Sequence, residues 1–120
     1  MWLTVAASAP GEQGYVTAEQ ANAVVAEYKA APAAVILDPK SRIAHAYNAT
    51  VTPHMYVIDS NGMLVYKGGI DSIASSNVAD IPKARQYVRL ALDEVLAGKP
   101  VLEASTRPYG CTLKYGNNAA

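Results

Sequence analysis

Apolar positions along this chain change their period several times, and each change marks a structural element. Residues 2–7, WLTVAA, form a short apolar run with β-branched content that suits a buried strand. Pro10, Gly11 and Gly14 then impose a loop. Thr17 and Gln20 stand at the capping-box spacing. Ala21, Val24, Val25 and Tyr28 follow at helical spacing until Pro32 forbids continuation, so a helix is predicted over residues 17–30. The triplet Val35, Ile36, Leu37, closed by Asp38-Pro39, predicts a second strand entering a turn. Ser41 is expected to cap a short helix reaching Asn48, with Ile43, Ala46 and Tyr47 on one face.

The second half begins with the clearest local signal. Residues 55–59 and 63–67 are strand-like runs separated by Ser60-Asn61-Gly62, where Asn-Gly is expected to supply the positive φ angles of a tight hairpin turn. Residues 68–80, rich in Gly, Ser, Asp and Asn, read as a loop. Pro82 suits a first helical position. Ile81, Ala84, Val88, Ala91, Leu92 and Val95 then carry one apolar stripe to a stop at Gly98-Lys99-Pro100, which predicts the longest helix. Beyond Pro100 the chain turns polar and irregular, and residues 116–120 read as a disordered end. The order β-α-β-α-β-β-α implies an α/β fold with a parallel part and an antiparallel edge hairpin. Such alternation decides no function by itself.

Composition narrows the partners. With 120 residues, 12.7 kDa and 51% hydrophobic residues, residues 1–115 fit one small domain. Ten basic and ten acidic residues cancel, without a Lys/Arg cluster, so the footprint of a nucleic-acid or acidic-membrane binder is missing. Apolar runs fall far short of the ~18 residues that span a bilayer, and no charged segment of an export signal precedes the first strand. One cysteine, Cys111, excludes an internal disulfide framework, a Cys-rich zinc site and a dithiol motif.

The segment VTPHMYVIDSNGMLVYKGG, residues 51–69, resembles the second half of a thioredoxin-like domain of the redoxin/peroxiredoxin type. In that family a Thr-Pro peptide precedes a strand ending in Ile-Asp. An Asn-Gly or Asp-Gly turn, a further strand, a Gly-containing loop and a final helix follow. Val35-Ile36-Leu37-Asp38-Pro39 and Ala46-Tyr47-Asn48-Ala49 look like the family's extra strand and helix, and Arg107-Pro108-Tyr109-Gly110-Cys111 is similar to the tail of a bacterial subgroup. The resemblance implies a thioredoxin-like α/β sheet lacking the family's first strand and active-site helix, where the nucleophilic cysteine resides. That strand lies centrally in the family, between the strands that here occupy residues 2–7 and 55–59. Its absence leaves strand edges whose unpaired N–H and C=O groups must be paired, covered or solvated. Either the two flanking strands pair directly, or two chains pair edge to edge as a homodimer.

The candidate chemistry follows from the same residues. Cys111 is the one thiol available for redox work, through single-cysteine exchange with a thiol or disulfide substrate, and Arg107 and Lys114 would favour its thiolate if folding brings them close. In the resembling subgroup a tail cysteine at this place resolves the oxidised nucleophile. By resemblance, Thr52 and Pro53 form a substrate groove, and Pro53 is expected to be cis. His45 and His54 lack metal-ligand spacing, and no metal or cofactor is predicted. Asp38, Asp59 and Asp71 flank strands without paired-carboxylate spacing, and read as turn formers. Ser8, Ser41 and Ser72 lack a nucleophile-elbow context, and Gly68-Gly69 is too little for a phosphate loop. Two functions remain: thiol-disulfide chemistry through Cys111, or a non-catalytic binding or assembly module working through exposed sheet edges.

Overall fold

A capping box opens the first helix. The Thr17 hydroxyl accepts from the Gln20 N–H (3.2 Å) and the Gln20 side chain accepts from the Thr17 N–H (2.9 Å), which satisfies two donors that a helix start leaves unpaired. This helix, α1, spans Ala18–Glu27 and ends where Lys29 adopts a φ of 51°. It connects two parallel strands, β1 (Leu3–Ala6) and β2 (Ala34–Leu37), whose register runs from Leu3↔Ala34 to Ala6↔Leu37. The computed structural model describes residues 1–115, so the expected disordered end at 116–120 lies outside the described residues. The chain divides into two units. Among the described residues, one is Met1–Thr50 with residues 113–115, and the other is Val51–Thr112.

The first unit corrects one capping expectation. Helix α2 spans Arg42–Ala46, shorter than predicted, and Ser41 makes no side-chain cap because its backbone is left-handed at φ 56°. Asp38 caps instead. Its carboxylate accepts from the N–H groups of Arg42 (2.8 Å), Ile43 (2.9 Å) and Ala44 (3.0 Å), taking up donors of the first turn while placing a negative charge at the positive end of the helix. The Ser41 hydroxyl, fully buried, donates to the Ala7 carbonyl (3.0 Å) and ties the start of α2 to the end of β1.

Burial in this unit runs contrary to side-chain size. Its buried apolar residues are Ala7, Ala9, Ala21, Ala44 and Ala49, whereas Trp2, Leu3, Val5, Val24, Tyr28 and Leu37 are exposed. Each large side chain left in water forgoes about 1.5–3 kcal/mol of hydrophobic stabilisation. The apolar stripe predicted for α1 therefore buries only Ala21.

The second unit has a conventional core. Strands β4 (Met55–Ile58) and β5 (Leu64–Gly68) form the predicted hairpin, and α3 (Tyr87–Leu96) packs on them through Val57, Tyr66, Val88 and Ala91. The turn is of a different type from the one expected. Among the loop residues positive φ belongs to Gly62 alone, at 79°; Gly62 N–H donates to the Asp59 carbonyl (3.0 Å) and Asp59 N–H to the Met63 carbonyl (2.9 Å). This is a three-residue loop with a glycine bulge; a second irregularity lies within the hairpin, where the register shifts between Val57 and Ile58 and Val65 is the extra residue on β5. The Asp59 carboxylate secures it by accepting from Asn61 and Met63 N–H, the turn-forming role predicted for that residue.

Helix α3 starts later than the pattern predicts. Pro82 lies inside a separate 3-10 helix, Val78–Lys83, and Ala84 is extended. Arg85 explains the break, since its N–H donates to the Ser72 hydroxyl (2.8 Å) and its carbonyl accepts from Ser72 N–H (3.1 Å). These tertiary bonds hold Arg85 outside a continuous helix. Ile81, assigned to the apolar stripe, is accordingly exposed.

The stretch beyond Pro100 is more ordered than its composition suggests. Residues of this segment hydrogen-bond alongside β5, with Lys67 N–H donating to the Ala104 carbonyl (2.9 Å) and Thr106 N–H to the Lys67 carbonyl (3.1 Å). A short strand, β6 (Cys111–Thr112), then pairs antiparallel with β3 (Val51–Thr52). Every sheet among the described residues is two-stranded: β1-β2, β3-β6 and β4-β5. This architecture is α/β, with the predicted parallel pair and antiparallel hairpin.

Candidate functional site

The region around Cys111 is assembled by a series of attachments along the tail. The first is buried. Tyr66, with no solvent exposure, donates its phenolic hydrogen to the Gly69 carbonyl (2.5 Å), so the Thr106 hydroxyl donates to the Tyr66 oxygen (2.6 Å) and accepts from Gly69 N–H (3.1 Å). Every polar atom of this cluster has a partner, which makes it a rigid anchor. Burial, the largest influence, pushes the Tyr66 phenol up from its ordinary value.

The second attachment lies closer to the thiol. Tyr109 donates its phenolic hydrogen to Asp71, whose Oδ1 also accepts from Ile73 N–H (3.1 Å). The hydrogen bond to Asp71, then burial, then the carboxylate charge push the Tyr109 phenol up to about 12. An additional link, the ion pair between Arg85 and Glu103, lies at the surface.

The third is the β3–β6 ladder. Thr52 and Cys111 are direct Cα partners, as are Val51 and Thr112. The Thr52–Pro53 peptide is cis, as the resemblance implies. Gly110 permits the approach: its φ is 142°, and a Cβ there would overlap the Thr52 carbonyl and lie 3.2 Å from Pro53 Cδ. Only a residue without a side chain fits beside that peptide. Cys111 is a free, exposed thiol, and Thr52 and Pro53 are exposed as well.

Side chains directly opposite in an antiparallel pair share a face, and neighbours along a strand alternate. Cys111 therefore lies on the Thr52 face, and Val51 on the other. A cleft of about 490 Å³ is lined by Val51, Asp71, Ser72, Tyr87, Arg107 and Tyr109, and by Gly110 next to the thiol residue. Lys114 belongs to the first unit.

The other candidates serve structure. Asp38 and Asp59 accept backbone hydrogen bonds, as described, and Asp71 holds Tyr109 and Ile73. His45 stacks on Tyr115 (centroids 4.1 Å apart) and His54 on Tyr56 (4.9 Å). Burial pushes the His54 imidazole below its usual value, which favours the neutral ring. Among the described residues no group of three or more His, Cys, Asp or Glu side chains comes together as a metal site. No described helix is long and apolar enough to cross a membrane.

Sequence reasoning had not found the Tyr109–Asp71 bond, the Tyr66–Thr106 cluster or the Thr52–Cys111 pairing. One signal was available for the last: a glycine directly before the only cysteine of the sequence.

The solved structures similar to this chain include two proteins of no stated function. A hypothetical protein from Sinorhizobium meliloti 1021 shares 27% identity and a TM-score of 0.79, with 96% of this chain and 61% of that one covered. An uncharacterized conserved protein from Geobacillus kaustophilus shares 28% identity and a TM-score of 0.80, covering 96% of this chain and 59% of its own. The chain therefore spans about three fifths of the length of these structures. No family model matches it, and no curated protein does.

Proposed function

We propose that this chain is a thioredoxin-like domain of the redoxin/peroxiredoxin type, without the strand and helix that carry the nucleophile in that family, and that it acts in thiol-disulfide exchange through Cys111. The observation that carries this reading is the pairing of the exposed Cys111 with Thr52, next to the cis Thr52–Pro53 peptide. The order of elements and the turn after Asp59 agree with it. Because β6 already occupies the Thr52 edge, a substrate meets the thiol from solvent, with the ladder holding the sulfur in place.

A single thiol sets the chemistry. The Cys111 thiolate attacks one sulfur of a substrate disulfide, the S–S bond breaks, and the second sulfur leaves as a thiolate that takes a proton from water. The product is a mixed disulfide on Cys111. A thiol from solution attacks the substrate sulfur of that bond, regenerating Cys111 and forming a disulfide between itself and the substrate; a further external thiol, such as the second thiol of dithiothreitol, then attacks the external sulfur of that bond and releases the remaining substrate sulfur as a thiol. The substrate disulfide is reduced and two external thiols are oxidised, so dithiothreitol or another free thiol must supply the electrons. One-cysteine exchange runs without an internal resolving partner, consistent with the single cysteine of this chain.

The test is dithiothreitol-dependent reduction of insulin disulfides by the native protein and by Cys111→Ser at equal concentration. The reading predicts a rate above the dithiothreitol background that returns to background in the variant. Equal rates for the two proteins, or no rate above background in either, overturn it.

A further inference from the structure

The cleft of about 490 Å³ is formed wholly by residues of the second unit, from Val51 to Gly110. Two groups of opposite charge line it, Asp71 and Arg107. Their backbones are neighbours across Gly69, since a Cβ there would stand 2.8 Å from the Arg107 carbonyl oxygen and 3.4 Å from that of Asp71. The side chains nevertheless stay apart. Among the described residues neither of the two carries an ion pair, and the exposed Arg107 guanidinium has no hydrogen-bond acceptor.

The unspent bonding capacity of the cleft is specific. Asp71 uses Oδ1 for the Tyr109 hydroxyl and Ile73 N–H, and among the described residues its Oδ2 has no donor. The Ser72 hydroxyl accepts from Arg85 N–H, which leaves its own hydrogen to donate. Ser72 and Arg107 thus offer donors and Asp71 an acceptor, while Val51, Ala74 and Pro108 give the cleft an apolar wall. An anion alone would meet the repulsion of Asp71, and a cation alone that of Arg107. A ligand carrying both charges satisfies both side chains.

We propose that this cleft binds a zwitterionic α-amino acid with an aliphatic side chain. The ligand carboxylate accepts from the Arg107 guanidinium, whose planar fork matches a carboxylate, and from the Ser72 hydroxyl. The ligand ammonium donates to Asp71, and the aliphatic side chain rests against Val51, Ala74 and Pro108. The volume falls within the ~300–1,000 Å³ of small-molecule sites. Because Arg107 is exposed, its contact is weakened by solvent, and a dissociation constant on the order of ~1 mM is expected. Cys111 does not line the cleft, so this binding is independent of the proposed exchange reaction.

The experiment titrates the isotope-labelled full chain with L-leucine and follows its amide NMR signals. Three analogues each lack one feature: isocaproate the ammonium, isoamylamine the carboxylate, and glycine the side chain. L-leucine is expected to give saturable shifts at Ser72, Ala74 and Gly110, and each analogue to bind at least ~10-fold more weakly. Arg107→Gln sacrifices no internal bond, so it should keep the native spectrum away from the cleft while binding L-leucine at least ~10-fold more weakly. The proposal is overturned by no saturable shift up to ~50 mM L-leucine, by shifts that map outside the cleft, by an analogue that binds as tightly as L-leucine, or by undiminished binding to Arg107→Gln.

Discussion

Tyr109 donates its phenolic hydrogen to the carboxylate of Asp71, 38 residues earlier in the chain, and this bond holds the tail two residues before Cys111. Without it the tail between Thr106 and the β3–β6 ladder would rest on backbone contacts. The bond therefore links the loop after β5 to the placement of the thiol.

Tyr109→Phe removes one hydrogen bond to a charged acceptor and leaves Asp71 its bond from Ile73. The expected loss of stability is about 1–2 kcal/mol, read from urea denaturation, together with faster alkylation of Cys111 as the tail loosens. The pH dependence has a definite sign. With the folded-state pKa at about 12 and the unfolded value near ~10, the folded protein holds this proton more tightly. The resulting stability is complete below pH ~10 and is lost as pH rises through about 12. Denaturation midpoints of native protein and Tyr109→Phe between pH 8 and 11 should converge toward the alkaline end.

Gly110→Ala tests the close approach to Thr52. The added Cβ meets backbone atoms of Thr52, which cannot swing aside, and φ 142° is strained for any residue with a side chain. The ladder should open, at a cost above ~1 kcal/mol. Amide hydrogen exchange at Thr52 and Cys111, the hydrogen-bonded pair of the ladder, is the direct readout, and it should accelerate while exchange in the β4–β5 hairpin stays slow.

Asp38→Ala deprives the N–H groups of Arg42, Ile43 and Ala44 of their acceptor at a site where Asp38 is only 5% exposed. A loss of about 2–3 kcal/mol is expected. Asp38→Asn, which keeps an acceptor oxygen but not the charge, should recover part of it. Ser41→Ala removes one bond to the Ala7 carbonyl and leaves α2 capped, so it should cost less than Asp38→Ala in the same thermal unfolding series.

Local chemistry made much of this molecule legible before any coordinates. The capping box at Thr17 and Gln20, the stop before Pro32, the β-branched strands and the turn after Asp59 each depend on residues within a few positions of one another. Such interactions are written in the spacing itself. The single cysteine and the balanced charge likewise bounded the chemistry by counting alone.

What the spacing could not carry depends on partners distant in the chain. Ser41 has the right residue type to cap α2, but its left-handed backbone and its bond to Ala7 give that task to Asp38. Pro82 suits a helix start, yet Arg85 bonds to Ser72 and α3 begins after it. The pairing of Cys111 with Thr52 joins residues whose local patterns say nothing of each other. Periodicity indicates which side chains seek cover, whereas the closure of the chain on itself decides what covers them; in the first unit that closure buries alanines and leaves Trp2, Leu3 and Val5 exposed.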